Sequence, residues 1–361
     1  MRPTQRLHDL GQSIWLDNIT RDLLDTGTLA RWVDELSITG LTSNPSIFEQ
    51  ALKTSAAYDE AIRAGVKAGR LGEDLFFDLA LQDLTRAADV FRAVHERTGG
   101  VDGFVSLEVS PLLAYDAAAT LRAARELFDR AGRPNLHIKI PGTREGLPAI
   151  EEATFAGIPV NVTLLFSPEQ YVAAAEAWLR GVERRIAAGL AADVRSVASV
   201  FVSRWDVAVA AQVPPELRNR LGNAIMGQTY AASRRLHASA RWQRVMNAGA
   251  RPQRVLWAST GTKDPAAPDT LYVTSLAAPY TVNTMPEKTL LAFADHGTVG
   301  EAMAADGGDA DAVVAAHARA GVDVDALASR LQADGAKAFV KSWNELIEGL
   351  ARKTGAAGKD R

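Results

Sequence analysis

The stretch Leu136-His137-Ile138-Lys139-Ile140-Pro141-Gly142-Thr143 sets a lysine inside a short apolar run closed by Pro-Gly. That is the pattern of a strand entering a turn. Of nine lysines in the chain, only this one sits in such a run. Burying an ammonium group is costly, so a strand lysine must either meet a carboxylate or give up its proton. A neutral amine attacks carbonyl carbon, the opening step of Schiff-base catalysis. The competing reading is a strand-end lysine whose stem covers apolar surface while its head reaches solvent.

Other strand signals carry polar residues at comparable positions. Side chains alternate faces along a strand, so shared faces can be read from parity. Lys139 shares a face with His137, opposite Leu136, Ile138 and Ile140. Asp17 lies opposite Leu16, and Glu108 opposite Leu107 and Val109. Asn161 and Thr163 oppose Val160, Val162 and Leu164, while Ser199 and Phe201 oppose Ala198, Val200 and Val202. Two acids, a lysine, an amide and hydroxyls, gathered from five strands, are the constituents of a reaction site. The alternative is a buried structural ion network of Asp17, Glu108 and Lys139. Thr163 and Ser199 taken alone are ordinary strand hydroxyls, and His137, deeper on its strand, reads as a core histidine.

The elements that must hold these residues follow from the punctuation of the chain. Strands are expected at residues 14–18, around Gly40, and at 103–110, 136–141, 159–166, 194–203 and 254–259. An eighth lies within 270–284, its limits not set by the pattern. Helical periodicity fills 28–36, then 58–98 with a break at 69–72, and 115–131, 147–156, 169–188 and 214–248. Pro45 disfavours helical geometry at Asn44, so a helix is expected to begin at Ser46. Pro168 reads as a first helical residue after Ser167. From Glu287 onward the chain reads helical. Its last long helix, 323–352, is expected to be interrupted near Gly335 and to cover the mouth of the fold or serve a subunit contact.

Eight apolar strands separated by helices indicate a parallel sheet covered on both sides. The expected fold is α/β: a closed (β/α)8 TIM barrel, one domain over 1–354 with additional C-terminal helices, and a frayed tail over 355–361. No Gly-x-Gly-x-x-Gly turn follows the first strand, which removes the usual dinucleotide fingerprint. Most of the polar inward residues lie toward the C-terminal ends of their strands, where barrel active sites open.

Composition narrows the rest. The 361 residues are 47% hydrophobic and 23% charged, with 40 basic against 43 acidic side chains, so no overall field favours nucleic acid or an anionic membrane. Without cysteine there is no disulfide, thiolate metal site or cysteine nucleophile. The six histidines, at 8, 95, 137, 237, 296 and 317, show no metal-ligand spacing. No apolar run suits a signal peptide or a membrane helix, and a cytoplasmic protein is expected.

At this point the motifs resemble those of the transaldolases. Leu16-Asp17-Asn18, Thr42-Ser43-Asn44-Pro45-Ser46, Ser106-Leu107-Glu108-Val109, Ile138-Lys139-Ile140-Pro141 and Asn161-Val162-Thr163-Leu164-Leu165-Phe166-Ser167 occur in the family's order. The resemblance spans roughly residues 15–283 and is closest to the longer bacterial branch. It implies a class I aldolase-type barrel that moves a dihydroxyacetone unit from sedoheptulose 7-phosphate to glyceraldehyde 3-phosphate. The products would be erythrose 4-phosphate and fructose 6-phosphate, with no metal or organic cofactor. Lys139 would form the Schiff base, Asp17 would handle the C4 hydroxyl proton, and Glu108 would act through a water held by Thr163. Asn44, Asn161 and Ser199 would orient the substrate hydroxyls.

Arg204 matches a family phosphate-binding arginine. The second expected arginine is missing from Ala258-Ser259-Thr260-Gly261-Thr262-Lys263, leaving Lys263 as a point cation. Phe201 stands where related fructose-6-phosphate aldolases carry tyrosine, which favours transfer over free cleavage. The alternatives are a lyase of that kind on the same barrel and a non-catalytic sugar-phosphate-binding barrel. Sugar phosphates are the expected partners, and a homo-oligomer remains open.

Overall fold

Eight short strands close into a single parallel barrel in sequence order. They are β1 (Gln12–Asp17), β2 (Ile38–Thr42), β3 (Phe104–Glu108), β4 (Leu136–Pro141), β5 (Val160–Leu165), β6 (Ser196–Phe201), β7 (Arg254–Ala258) and β8 (Thr281–Met285). The computed structural model describes residues 1–357. Every strand residue except Asp17 is buried, which is why most of these strands read as apolar on both faces: the barrel fills one side and helices cover the other. The sequence pattern does not delimit β8 because three of its five residues, Thr281, Asn283 and Thr284, are polar yet buried.

The register aligns the polar residues. Asp17 pairs with Thr42, Glu108 with Lys139, Lys139 with Asn161, and Pro141 with Thr163. Gly40 of β2 makes room inside the barrel, since a Cβ there would fall 2.7 Å from the Trp15 indole. Alternation holds along β5 as far as Thr163. Its register with β6 then shifts between Val162 and Leu165, and Leu164 takes φ 60°.

The expected helix signals are mostly met. Ser167 caps Pro168–Ala187 with a full capping box, its hydroxyl accepting from Gln170 N while the Gln170 side chain accepts from Ser167 N. The helix expected at Ser46 starts one residue earlier, because Pro45 takes the first helical position and Asn44 the cap. Helix is not continuous from Glu287. It stops at His296 and resumes only at Ala310–Arg319, across a segment holding four glycines.

The last helix, Val324–Ala357, runs without the interruption expected near Gly335. That glycine serves close approach: a Cβ there would lie 3.0 Å from Leu164 Cδ2. The helix crosses the mouth of the barrel. Gln332 Nε2 donates to the carbonyls of Gly142 (3.1 Å) and Leu164 (2.9 Å), and the Trp343 ring meets Phe76 edge-on at 5.0 Å. Residues 355–357 of the expected tail therefore belong to this helix, while 358–361 lie outside the described residues. Among the described residues no helix is long and apolar enough to cross a membrane.

Candidate active site

A cavity of about 470 Å³ opens at the C-terminal ends of the strands, within the range of small-molecule sites. Asp17, Asn44, Lys139, Thr163, Ser199, Phe201, Arg204 and Lys263 all line it. Glu108 and Asn161 do not; both are buried behind the wall of the cavity.

Lys139 is 6% exposed and points inward from β4. Its Nζ donates to Glu108 Oε2 at 3.1 Å and to the main-chain oxygen of Ser43 at 2.9 Å. The Ser43 hydroxyl is itself tied to the Ser106 carbonyl at 2.8 Å, so the β2 turn is braced against β3. Burial pushes the Glu108 carboxyl above its ordinary value, helped by the Asp17 charge and opposed by Lys139. Asp17 is likewise raised by burial, against the Thr42 hydrogen bond and the Lys139 and Lys263 charges. Carboxyls whose proton affinity burial raises, beside an amine, are groups suited to accepting and returning protons. Glu108 Oε1 and Thr163 Oγ1 are buried, and neither has a hydrogen-bond partner among the described residues.

Asn161 donates from Nδ2 to Ser106 Oγ (3.1 Å) and accepts from Ser199 Oγ (2.7 Å). With its amide engaged on both sides, it holds Ser199 in place from below the cavity. Asn44 caps its helix through Oδ1, which accepts from Ile47 N at 3.1 Å, so its Nδ2 remains available on the cavity side. Phe201 packs on Phe166 at 5.2 Å and faces Phe339 of the last helix at 6.3 Å, forming an apolar wall. At the outer rim, neither Arg204 nor Lys263 has a carboxylate within 4.0 Å among the described residues. Two unpaired cations at a cavity mouth suit a phosphate.

His137 is a core residue, stacked on Phe104 at 4.1 Å, with its pKa driven well below the ordinary value by burial. Among the described residues no group of three or more His, Cys, Asp or Glu side chains is arranged to hold a metal ion. The cavity also takes in residues to which the sequence assigns no role, among them Thr42, Thr284 and Phe339. Thr42 lies within the Thr42-Ser43-Asn44-Pro45-Ser46 motif, Thr284 on the strand whose limits the pattern does not set, and Phe339 arrives from a distant helix.

A closed barrel with a desolvated lysine and two carboxylates at its C-terminal end holds the groups that lysine-based aldol chemistry requires. The family model described as Transaldolase/Fructose-6-phosphate aldolase matches residues 14–350. The chain is 46% identical to a transaldolase of Frankia alni over 99% of both chains. It is also 46% identical to a transaldolase of Thermobifida fusca, over 98% of this chain and 99% of that one. A transaldolase of an Arthrobacter species is 43% identical over 96% and 95%. The chain belongs to the transaldolase/fructose-6-phosphate aldolase family.

Proposed function

We propose that this protein is a transaldolase that carries a dihydroxyacetone unit on Lys139, taking it from sedoheptulose 7-phosphate and delivering it to glyceraldehyde 3-phosphate. The observation that carries the reading is the setting of Lys139 Nζ, buried between Glu108 and the Ser43 carbonyl on the wall of a cavity that Asp17 shares.

Glu108, whose proton affinity burial increases, takes the proton that frees the amine. The amine adds to the ketose C2 carbonyl. Loss of water then leaves an imine, with the proton delivered through a water between Glu108 and Thr163. Asp17 removes the C4 hydroxyl proton. The C3–C4 bond breaks, its electrons pass to the protonated imine nitrogen, and erythrose 4-phosphate departs. The enamine carbon next attacks the aldehyde carbon of glyceraldehyde 3-phosphate. Asp17 returns its proton to the new alkoxide, and hydrolysis of the imine releases fructose 6-phosphate. Asn44 and Ser199 orient the hydroxyls of the three-carbon unit, Asn161 acts by holding Ser199, and Arg204 and Lys263 hold the phosphate.

The family also contains lyases that release free dihydroxyacetone, and acceptor dependence separates the two activities. With purified protein and sedoheptulose 7-phosphate, erythrose 4-phosphate should appear catalytically only when glyceraldehyde 3-phosphate is supplied. Steady release without acceptor would instead assign the lyase. The Phe201 ring supports transfer, having no hydroxyl to anchor water near the intermediate.

A further inference from the structure

We propose that Thr284, on β8, is a positioning residue that selects the catalytic oxygen of Asp17 by way of Thr42, an inference that rests on the lysine-aldol reading above. Thr42 Oγ1 lies 2.8 Å from Asp17 Oδ1 and 2.7 Å from Thr284 Oγ1. A hydroxyl has a single proton, and an ionised carboxylate only accepts. The Thr42 proton is therefore committed to Asp17, and the proton between the two threonines belongs to Thr284. The chain runs one way, from Thr284 to Thr42 to Asp17 Oδ1.

The fold builds this chain rigidly. β1 lies between β2 and β8, with Asp17 registered on Thr42 and Trp15 on Thr284. Thr42 and Thr284 are each 3% exposed, so bulk water does not compete for their bonds. The main-chain oxygen of Thr284 accepts from Thr260 Oγ1 at 2.9 Å, which ties β8 to the turn after β7.

Two consequences follow. Oδ1 of Asp17 is engaged on the barrel side, leaving Oδ2 for the substrate C4 hydroxyl. The bond that Thr42 receives also polarises the bond it gives, so removing Thr284 weakens the contact that holds Asp17's proton affinity down. The charged groups that face Asp17 are Lys139 from β4, Glu108 from β3 and Lys263 after β7, with Arg204 across the cavity. None of these is altered by substitution at Thr284.

The test compares Thr284→Val and Thr284→Ser in the full chain by kcat and KM against pH, with borohydride trapping of fructose 6-phosphate on Lys139. For Thr284→Val, kcat should fall roughly 10- to 100-fold, as expected of a misplaced reacting group. KM for the phosphorylated donor should stay within about two-fold. The acid limb of the kcat profile should move to higher pH, while Lys139 still traps the sugar. Thr284→Ser should restore both rate and profile. Should the valine variant fail to fold, Thr284→Ala carries the same expectation. Unchanged kcat and acid limb in Thr284→Val, or a loss that serine does not rescue, overturns the inference while leaving the lysine reading intact. A wild-type protein that traps no sugar on Lys139 overturns the lysine reading and this inference with it.

Discussion

Both ends of the barrel bury opposite charges, and they differ in how completely those charges are satisfied. At the N-terminal end, Arg254 donates to Ser13 Oγ (2.6 Å) and the Val101 carbonyl (2.8 Å), with its guanidinium 3.5 Å from Asp102. Asp102 in turn accepts from the Ser13 hydroxyl, from Trp15 Nε1 at 2.7 Å and from Gly103 N at 3.1 Å. At the C-terminal end, Lys139 and Glu108 are paired, yet Glu108 Oε1 and Thr163 Oγ1 have no partner among the described residues. Among the described residues, no side-chain polar atom of Ser13, Trp15, Asp102 or Arg254 is left buried without a partner, although Gln12 Oε1 and Gln253 Oε1 beside them are. The upper cluster keeps donors and acceptors for something that comes and goes. Two clusters of similar composition can thus be told apart by their leftover hydrogen-bonding capacity.

The sharpest way to break this contrast is Lys139→Met. Activity should drop at least about 10³-fold, as for loss of a nucleophile, with a smaller loss of stability than in Arg254→Met, because Glu108, whose pKa burial raises, can take up a proton once its cation is gone. A large loss of stability with only modest loss of rate would make the upper cluster structural as well.

Asp17→Asn should lower kcat by roughly 10²- to 10⁴-fold, the range for removing a general base. Its stability should also respond to pH. Folding raises the Asp17 pKa above the ordinary 3.8, so the folded state binds more protons than the unfolded state across the window from there up to the raised value. Stability of the wild type falls as pH climbs through that window, and the penalty persists above it. The asparagine variant lacks the penalty. Its melting temperature should therefore gain on the wild type as pH rises from about 4, and a gap that narrowed would contradict the raised pKa.

At the other end, Arg254→Met leaves Asp102 buried without its cation and should cost about 3–5 kcal/mol by denaturant unfolding. Turnover per folded molecule should stay near that of the wild type. The smallest effect is expected for His137→Phe, midway between the two ends. Neither ring nitrogen has a partner among the described residues, and an apolar ring of similar size should change stability by less than about 1.5 kcal/mol with kcat unaffected. A marked fall in kcat would bring His137 into the chemistry.

Much of this layout was legible in the chain. Strand parity alone put Asp17, Glu108, Lys139, Thr163 and Ser199 on the inner face, because a closed parallel barrel keeps alternation in step from strand to strand. Parity gave the face but not the depth, so it could not distinguish cavity-lining Ser199 from Asn161, which lies behind it. The Thr42–Thr284 bond escaped for another reason. It joins residues 242 positions apart through barrel closure, which no local pattern encodes. Gly335 misled because glycine in a helical pattern ordinarily marks a break. Here the missing side chain is what lets the helix settle on Leu164, itself displaced by the register shift in β5.

The most direct measurement is borohydride reduction of the protein in the presence of fructose 6-phosphate, followed by peptide mapping. One sugar adduct is expected, on the peptide containing Lys139, and none in Lys139→Met. An adduct on any other lysine, or an unlabelled wild-type protein that still turns over, would contradict that expectation.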